Sequence, residues 1–207
     1  MKLVVFGATG TVGNVLVKQA LAAGHQVTAF ARHPEVLAGT DRNLTRRPGD
    51  VLDPAAVNRA VRGQDAVLVV LGAGRKGGVR AAGTENIVQA MKAEGVERLI
   101  CMSTLGAGDS APLLTFFWKY IMFGLLLKDA LADHEEQERT VRESGLDWTI
   151  VRPGAFANGE PTGVYRHGFS ADTKGLKLKI SRADLAEFLL RQVTDMTYLK
   201  QAPGISY

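Results

Sequence analysis

The chain has 207 residues, of which 46% are hydrophobic and 22% charged, so it can bury a full core and is not a disordered segment. Its 25 basic and 21 acidic residues give a net charge of +4, and the basic residues are scattered, which argues against a nucleic-acid-binding face. The single cysteine, Cys101, excludes an internal disulfide and has the apolar neighbours of a buried strand.

A glycine-rich turn follows the first predicted strand. Residues 3–6 are four consecutive apolar residues, too few for a helix and too continuous for a half-exposed strand, which indicates a buried parallel strand. Gly7, Gly10 and Gly13 follow at intervals of three, and helical apolar spacing begins directly after them. A helix N-terminus in this position presents free backbone N–H groups, so the stretch predicts a pyrophosphate-binding turn.

Strands and helices alternate along the rest of the chain. Further strands are predicted at residues 26–31, 44–47, 66–71, 98–102 and 147–151. A helix is predicted at 54–61, with Asp53 as its N-cap. A second helix ends at Gly95. A third begins at Ser181, which forms a capping pair with Asp184. The alternation predicts a single α/β domain over residues 1–207, with a doubly wound parallel sheet and a short substrate-side extension at about 155–180.

The first strand enters the fold at once, so we expect no signal peptide and a cytoplasmic protein.

Ligands of such sheets bind beyond the carboxyl ends of the strands, at the switch in strand order. These ends outline an extended dinucleotide site, and we expect no metal site. The candidate cofactor-binding residues are Gly7, Ala8, Thr9, Gly10, Thr11, Val12, Arg32, His33, Asp50, Val51, Leu71, Gly72, Ala73, Gly74, Arg75, Met102, Ser103, Pro153, Gly154, Ala155 and Phe156.

Arg32 predicts which dinucleotide binds. It lies roughly 20 residues past the glycines, where an NAD-specific domain carries an acid for the ribose 2′-hydroxyl. A guanidinium can instead bind a 2′-phosphate through paired hydrogen bonds, which favours NADP(H), and His33 is a second candidate contact. The alternative is a solvent-facing loop arginine.

The apolar insertion at about 111–128 departs from the alternation. Residues 112–127 are almost wholly apolar, but they are too few, and Lys119 interrupts them, so no transmembrane helix is expected. Phe116, Trp118 and Tyr120 offer flat surfaces for a conjugated acceptor, so we expect a cover over the acceptor end of the site. The alternatives are an ordinary core helix and a dimer or membrane-surface contact.

Three motifs carry a family resemblance that runs nearly end to end: GATGTVG at 7–13, RLICMST at 98–104 and SGLDWTIVRPG at 144–154. With them the chain resembles atypical short-chain dehydrogenases/reductases, and in particular the biliverdin-IXβ reductase/flavin reductase group. The resemblance implies a single-domain Rossmann fold and an NADPH-dependent reductase of flavins and tetrapyrroles. It also implies that Ser103 is the catalytic position beside the nicotinamide. The chain departs from that group in two ways. Ala155 stands where the group has a histidine, and the apolar segment at residues 112–127 is longer than in the group. Both departures concern the tetrapyrrole substrate more than the cofactor.

Carbonyl-reducing members of the wider family use a tyrosine with a lysine four residues later as proton donor. None of the four tyrosines has that lysine. Oxidised flavin can take its proton from water, so positioning alone would suffice. Ser103, Thr104 and His134 remain as polar candidates near the acceptor, and His134 is expected to be an exposed histidine at a helix start.

The function predicted from these features is hydride transfer from NADPH to a flavin or other flat conjugated acceptor, such as biliverdin or a quinone. A catalytically weak NADP(H) sensor that regulates a partner is the main alternative. A nucleotide-sugar or isoprenoid-quinone-associated enzyme is the third.

Overall fold

The computed structural model of the protein describes residues 1–72, 74, 77–170 and 172–207. The helices are α1 (Gly13–Ala22), α2 (Pro54–Val61), α3 (Val79–Glu94), α4 (Lys128–Glu143) and α5 (Arg182–Arg191). Two 3₁₀ helices, Pro34–Val36 and Gly108–Leu113, and a π-helix, Phe117–Leu126, complete the helical elements of these residues. The strands are β1 (Lys2–Phe6), β2 (Gln26–Ala31), β3 (Leu44–Pro48), β4 (Ala66–Val69), β5 (Arg98–Met102), β6 (Asp147–Pro153), β7 (Ala155–Ala157), β8 (Arg166–His167), β9 (Lys179–Ser181) and β10 (Gly204–Ser206).

Eight of the strands in the described part of the chain form one sheet, in the order β3-β2-β1-β4-β5-β6-β10-β8. All neighbours run parallel except β10 and β8. Strand order reverses beside β1, which pairs with β2 on one side and with β4 on the other. A parallel sheet binds ligands at such a reversal, beyond the carboxyl ends of its strands. The fold is therefore the predicted single-domain, Rossmann-like α/β fold.

Helices cover both faces of the sheet. On one face α1 and α5 pack together, and Leu16 and Phe188 join the core there. On the other face α3 packs between α2 and α4, and Val57, Ile87 and Val141 lie in that core. With both faces buried, the central strands are continuous apolar runs, as the sequence predicts.

Three helix ends confirm their sequence predictions. The Asp53 carboxylate accepts a hydrogen bond of 2.9 Å from the backbone N–H of Ala55 and so caps α2. Gly95 ends α3 in the left-handed conformation, with φ at 68°. Ser181 caps α5 by accepting from Asp184 N–H at 3.0 Å.

Two strands end two residues away from their predicted ends, whereas β3 ends one residue later than predicted, at Pro48. β4 stops at Val69 rather than at residue 71, because its neighbour β1 ends at Phe6, the residue paired with Val69, and the chain turns at Gly7, which has φ at 86°. β6 continues past residue 151 to Pro153, because β10 supplies further partners; Arg152 N–H donates to the Pro203 oxygen at 3.0 Å. Sequence patterns do not show this pairing, since β10 lies about 50 residues further along the chain.

The apolar segment, residues 112–127, is not a core helix. Its π-helix has no buried residue, and Phe116 and Leu125 are each 74% exposed. π-helical turns are rare and are frequently found at functional sites. Within the described ranges, no helix has both the length and the apolar character needed to cross a bilayer.

Candidate functional site

A groove of about 590 Å³ lies beyond the carboxyl ends of β1, β2 and β4. The glycine turn forms one wall, and the segments that follow β2, β3 and β4 form the rest. Its lining residues are Gly7, Thr9, Gly10, Phe30, Ala31, Arg32, Gly49, Asp50, Val51, Leu52, Leu71, Gly72, Gly74 and Val79. This is the position at which the switch in strand order predicts a dinucleotide.

The glycine turn has the geometry that a phosphate site requires. Gly7 has φ at 86°, and a Cβ on Gly13 would lie only 2.1 Å from the Gly7 oxygen, so α1 can approach β1 only with glycine there. In the described structure, no backbone carbonyl outside the helix accepts from Thr11, Val12 or Gly13 N–H. Free amides at the start of α1 fit a pyrophosphate, which carries negative charge and only acceptor oxygens.

The other candidates in this turn contribute in different ways. Ala8 and Val12 are buried in the core against α1 and β1, so their side chains support the turn rather than line the groove. Thr11 is exposed and does not line the groove. These residues can contact a ligand through their backbone groups.

The ribose-reading position is only partly as expected. Arg32 is exposed and lines the groove, as a 2′-phosphate ligand requires. His33 does not line it; its Nδ1 lies 3.2 Å from a Glu35 carboxylate oxygen instead. Asp50 and Val51 line the floor, and the Asp50 carboxylate accepts from Leu52 N–H at 2.9 Å.

A second cavity, of about 270 Å³, adjoins the groove at its far end. The two share Leu71, Gly72 and Gly74, the segment that follows β4. The predicted cofactor residues Met102, Ser103, Pro153, Gly154, Ala155 and Phe156 all line this second cavity. Ala73 and Arg75, also predicted, lie outside the described residues. We name this space the acceptor cavity.

The apolar segment forms one side of the acceptor cavity. Leu114, Trp118, Phe123 and Leu127 line it, and the Trp118 and Phe123 ring centroids are 5.9 Å apart. Phe116 and Tyr120 do not line it; they pack on each other on the outer face, which stays exposed. The predicted stacking role is thus available to Trp118 and not to the other two, because a helix presents only one face inward.

The buried Arg152 side chain anchors the start of the apolar segment through two ion pairs, one with the buried Glu138 and one with the exposed Asp109. The Arg152 guanidinium, 2% exposed, donates to Glu138 at 2.8 and 2.6 Å and to Asp109 at 2.6 Å. The hydrogen bond from Arg152 holds the pKa of Asp109 below its usual range. This network ties the 3₁₀ helix before the segment to α4 and β6.

Two polar side chains that follow β5 line the acceptor cavity; Ser103 is almost fully buried and Thr104 is half-buried. Ser103 is 2% exposed, and its Oγ has no hydrogen-bond partner among the described residues. Its backbone N–H donates to the Val151 oxygen at 2.8 Å, which fixes the position at the end of β5. Thr104 also lines the cavity, and its hydroxyl makes a long bond of 3.3 Å to the Leu105 oxygen.

The expectation for His134 is wrong. It lies within α4, not at an exposed helix start, and it is 8% exposed in the wall of the acceptor cavity. Burial, together with the positive charge of Arg80, lowers its pKa to about 4. Because residues 128–143 include many charged side chains, their pattern does not indicate that the face bearing His134 packs inward.

Comparisons with known proteins agree with this geometry. The family model described as NAD(P)H-binding matches residues 7–196. The UPF0659 protein YMR090W of Saccharomyces cerevisiae is 30% identical over 210 residues, and the alignment covers 93% of this chain and 87% of the yeast protein. An uncharacterised chloroplastic protein of Arabidopsis thaliana is 32% identical over 78% of this chain, which spans 61% of that protein. An NAD(P)H azoreductase of Xenophilus azovorans is 29% identical over 74% of this chain, and the chain spans about half, 48%, of its length.

Solved structures show the same fold. An anaerobilin reductase of Escherichia coli O157:H7, ChuY, superposes with a TM-score of 0.82 at 23% identity and covers 99% of this chain. A short-chain dehydrogenase/reductase of Veillonella parvula, crystallised with NADP, has a TM-score of 0.83 at 18% identity over 100% of this chain. The alignments cover 96% and 94% of the respective neighbour chains.

Proposed function

The chain belongs to the NAD(P)H-binding family of reductases, and from that premise we propose that it transfers hydride from NADPH to a flavin or another flat conjugated acceptor such as a quinone or biliverdin. One observation carries the proposal. The dinucleotide groove and the apolar acceptor cavity share the wall formed by Leu71, Gly72 and Gly74. A molecule in the cavity would therefore lie against the end of a dinucleotide in the groove.

The chain's own residues would bind and orient the two molecules. The N–H groups at the start of α1 hold the pyrophosphate, and Arg32 pairs with a 2′-phosphate, which supports a preference for NADPH over NADH. Gly72 lines both the groove and the acceptor cavity, and Ser103 and Gly154 line the acceptor cavity. NADPH, when bound, supplies the hydride.

The apolar segment would exclude water and hold a planar ring. Trp118 and Phe123 are flat, and most other lining side chains are aliphatic. Flavins and quinones can take protons from water after reduction, so the missing Tyr–Lys pair is no obstacle. The volume of the cavity, about 270 Å³, lies at the small end for a ligand pocket, so among the acceptors named above it favours a fused ring over biliverdin, an extended linear tetrapyrrole.

The test is an NADPH-oxidation screen against FMN, FAD, biliverdin, quinones and azo dyes, with NADH as the matched cofactor control. Saturable oxidation with at least one fused-ring acceptor, and with NADPH preferred, would support the proposal. Tight NADPH binding without turnover of any acceptor would refute it and favour the sensor alternative.

A further inference from the structure

Two neutral polar groups in the acceptor cavity, the Ser103 hydroxyl and the His134 imidazole, are buried without a partner in the described part of the chain, and so is Arg80 Nε in the same wall. Among the described residues, neither Ser103 Oγ nor His134 Nδ1 makes a hydrogen bond, and the two residues are 2% and 8% exposed. A buried polar atom without a partner destabilises the folded state, so a pair of them facing one cavity calls for an explanation. Both residues line the one cavity that is otherwise mostly apolar.

His134 is held in place by its neighbour in α4. The Asp133 carboxylate accepts from the N–H groups of Arg80 and Ala81, at 3.2 and 3.0 Å, and from Arg80 Nη1 at 3.3 Å. These bonds tie α4 to the first turn of α3, beside the shared wall of the two cavities. Gly77 permits the close approach, since a Cβ there would lie 2.7 Å from the Asp129 oxygen. The imidazole therefore has a fixed place in the cavity wall.

The charge in this wall is balanced. Asp133 neutralises Arg80, and the depressed pKa of His134 leaves its imidazole uncharged at neutral pH. A neutral imidazole offers one N–H donor and one acceptor nitrogen, and the Ser103 hydroxyl can also donate or accept. Such groups suit a carbonyl or an imide edge, and they offer no full positive charge to a carboxylate or phosphate.

We propose that His134 and Ser103 bind a ring carbonyl of the acceptor, so that the acceptor is an uncharged, carbonyl-bearing fused ring. This inference rests on the proposed function and specifies the acceptor of that site. The shared chemistry is a carbonyl on a planar ring, which a quinone and an isoalloxazine both possess. Bound there, the acceptor supplies the missing partners of the two buried groups, while Trp118 contacts its ring face.

The experiment compares His134→Phe, which keeps the ring and removes both nitrogens, with Val141→Ala, a core change on the same helix α4. Each variant is titrated with menadione in the presence of NADP⁺, and binding is followed by quenching of tryptophan fluorescence. Steady-state constants are measured with menadione, lumiflavin, FMN and the azo dye methyl red, which lacks a ring carbonyl. Comparing menadione with lumiflavin distinguishes a quinone acceptor from an isoalloxazine acceptor. Comparing FMN with lumiflavin shows how a phosphate group on the acceptor affects binding.

We expect His134→Phe to raise the dissociation constant and KM for menadione or lumiflavin about 5- to 30-fold, the loss of one hydrogen bond. The KM for NADPH, and the constants of Val141→Ala for every ligand, should stay near those of the wild type. Ser103→Ala provides a second and smaller change, which keeps the pair testable if His134→Phe fails to fold.

Wild-type activity with quinones or lumiflavin that both variants retain in full would overturn this inference and leave the proposed function standing. Activity with methyl red alone would also overturn it. Menadione binding that weakens in both variants, without turnover by any form, would support the binding pair and refute the proposed function.

Discussion

Trp118→Ala distinguishes a wall of the acceptor site from a structural residue. Trp118 lines the acceptor cavity and is only half-buried, and its ring centroid lies 5.9 Å from that of Phe123. Aromatic contacts contribute about 0.5–1.5 kcal/mol beyond area burial, so we expect acceptor KM to rise about 2- to 13-fold. The KM for NADPH should not change, because Trp118 does not line the dinucleotide groove.

The stability change should be small for a tryptophan. Truncating a buried tryptophan costs about 3–5 kcal/mol, but no residue of the π-helix is buried, so about 1–2 kcal/mol is expected. Chemical denaturation measures this loss, and steady-state assays with a saturating partner substrate measure both Michaelis constants.

Phe117→Ala is the matched control. Phe117 is an adjacent aromatic residue, 55% exposed, and does not line the cavity. It should leave both Michaelis constants unchanged. Equal acceptor kinetics for Trp118→Ala and wild type, in a folded protein, would refute the assignment of Trp118 to the acceptor site.

Three other changes test separate parts of the site. Arg32→Asp should weaken NADPH binding by about 1.5–3 kcal/mol, the scale of a charge-assisted hydrogen bond, whereas Arg59→Asp on α2 should not; equal wild-type affinity for NADH and NADPH would contradict the preference. Ser103→Ala should reduce flavin turnover by less than the roughly 10²–10⁴-fold expected for loss of a general acid; a larger loss with unchanged folding and NADPH affinity would make Ser103 a proton donor. His134 is neutral in the folded state at pH 5 but mostly protonated when unfolded, so the free energy of unfolding should fall by about 2 kcal/mol from pH 7.5 to pH 5. The charged groups that act on the His134 imidazole are Arg80, Asp133 and Glu138. His134→Gln should remove the contribution of His134 to the loss of stability at low pH. A variant whose stability has the same pH dependence as the wild type would show that the pKa of His134 is not lowered by folding.

Local patterns predicted the elements around the dinucleotide groove because each depends on neighbouring residues. The bounds of β2, α2 and β5 agree with prediction, since continuous apolar runs and caps such as Asp53 define them. The glycine turn and Arg32 lie at the groove because spacing along the chain fixes their place relative to β1 and β2.

The acceptor side depends on contacts distant in sequence, and there prediction was weaker. His134 is buried because Asp133 caps α3, 52 residues away along the chain at Ala81, which no local periodicity reveals. Phe116 and Tyr120 are aromatic like Trp118 but do not share its face, because each is two residues from Trp118 and residues two apart point to different sides of a helix. The pairing of β10 with β6 likewise joins distant segments.

Hydride transfer is tested most directly by mixing the protein with NADPH, or with NADPH deuterated at the transferred position of C4, and a saturating fused-ring acceptor in a stopped-flow instrument. Loss of NADPH absorbance should match acceptor reduction in amount, and deuterium should slow the first turnover. NADPH that binds fully, as shown by its fluorescence, and yet transfers no hydride to any acceptor would contradict a reductase function.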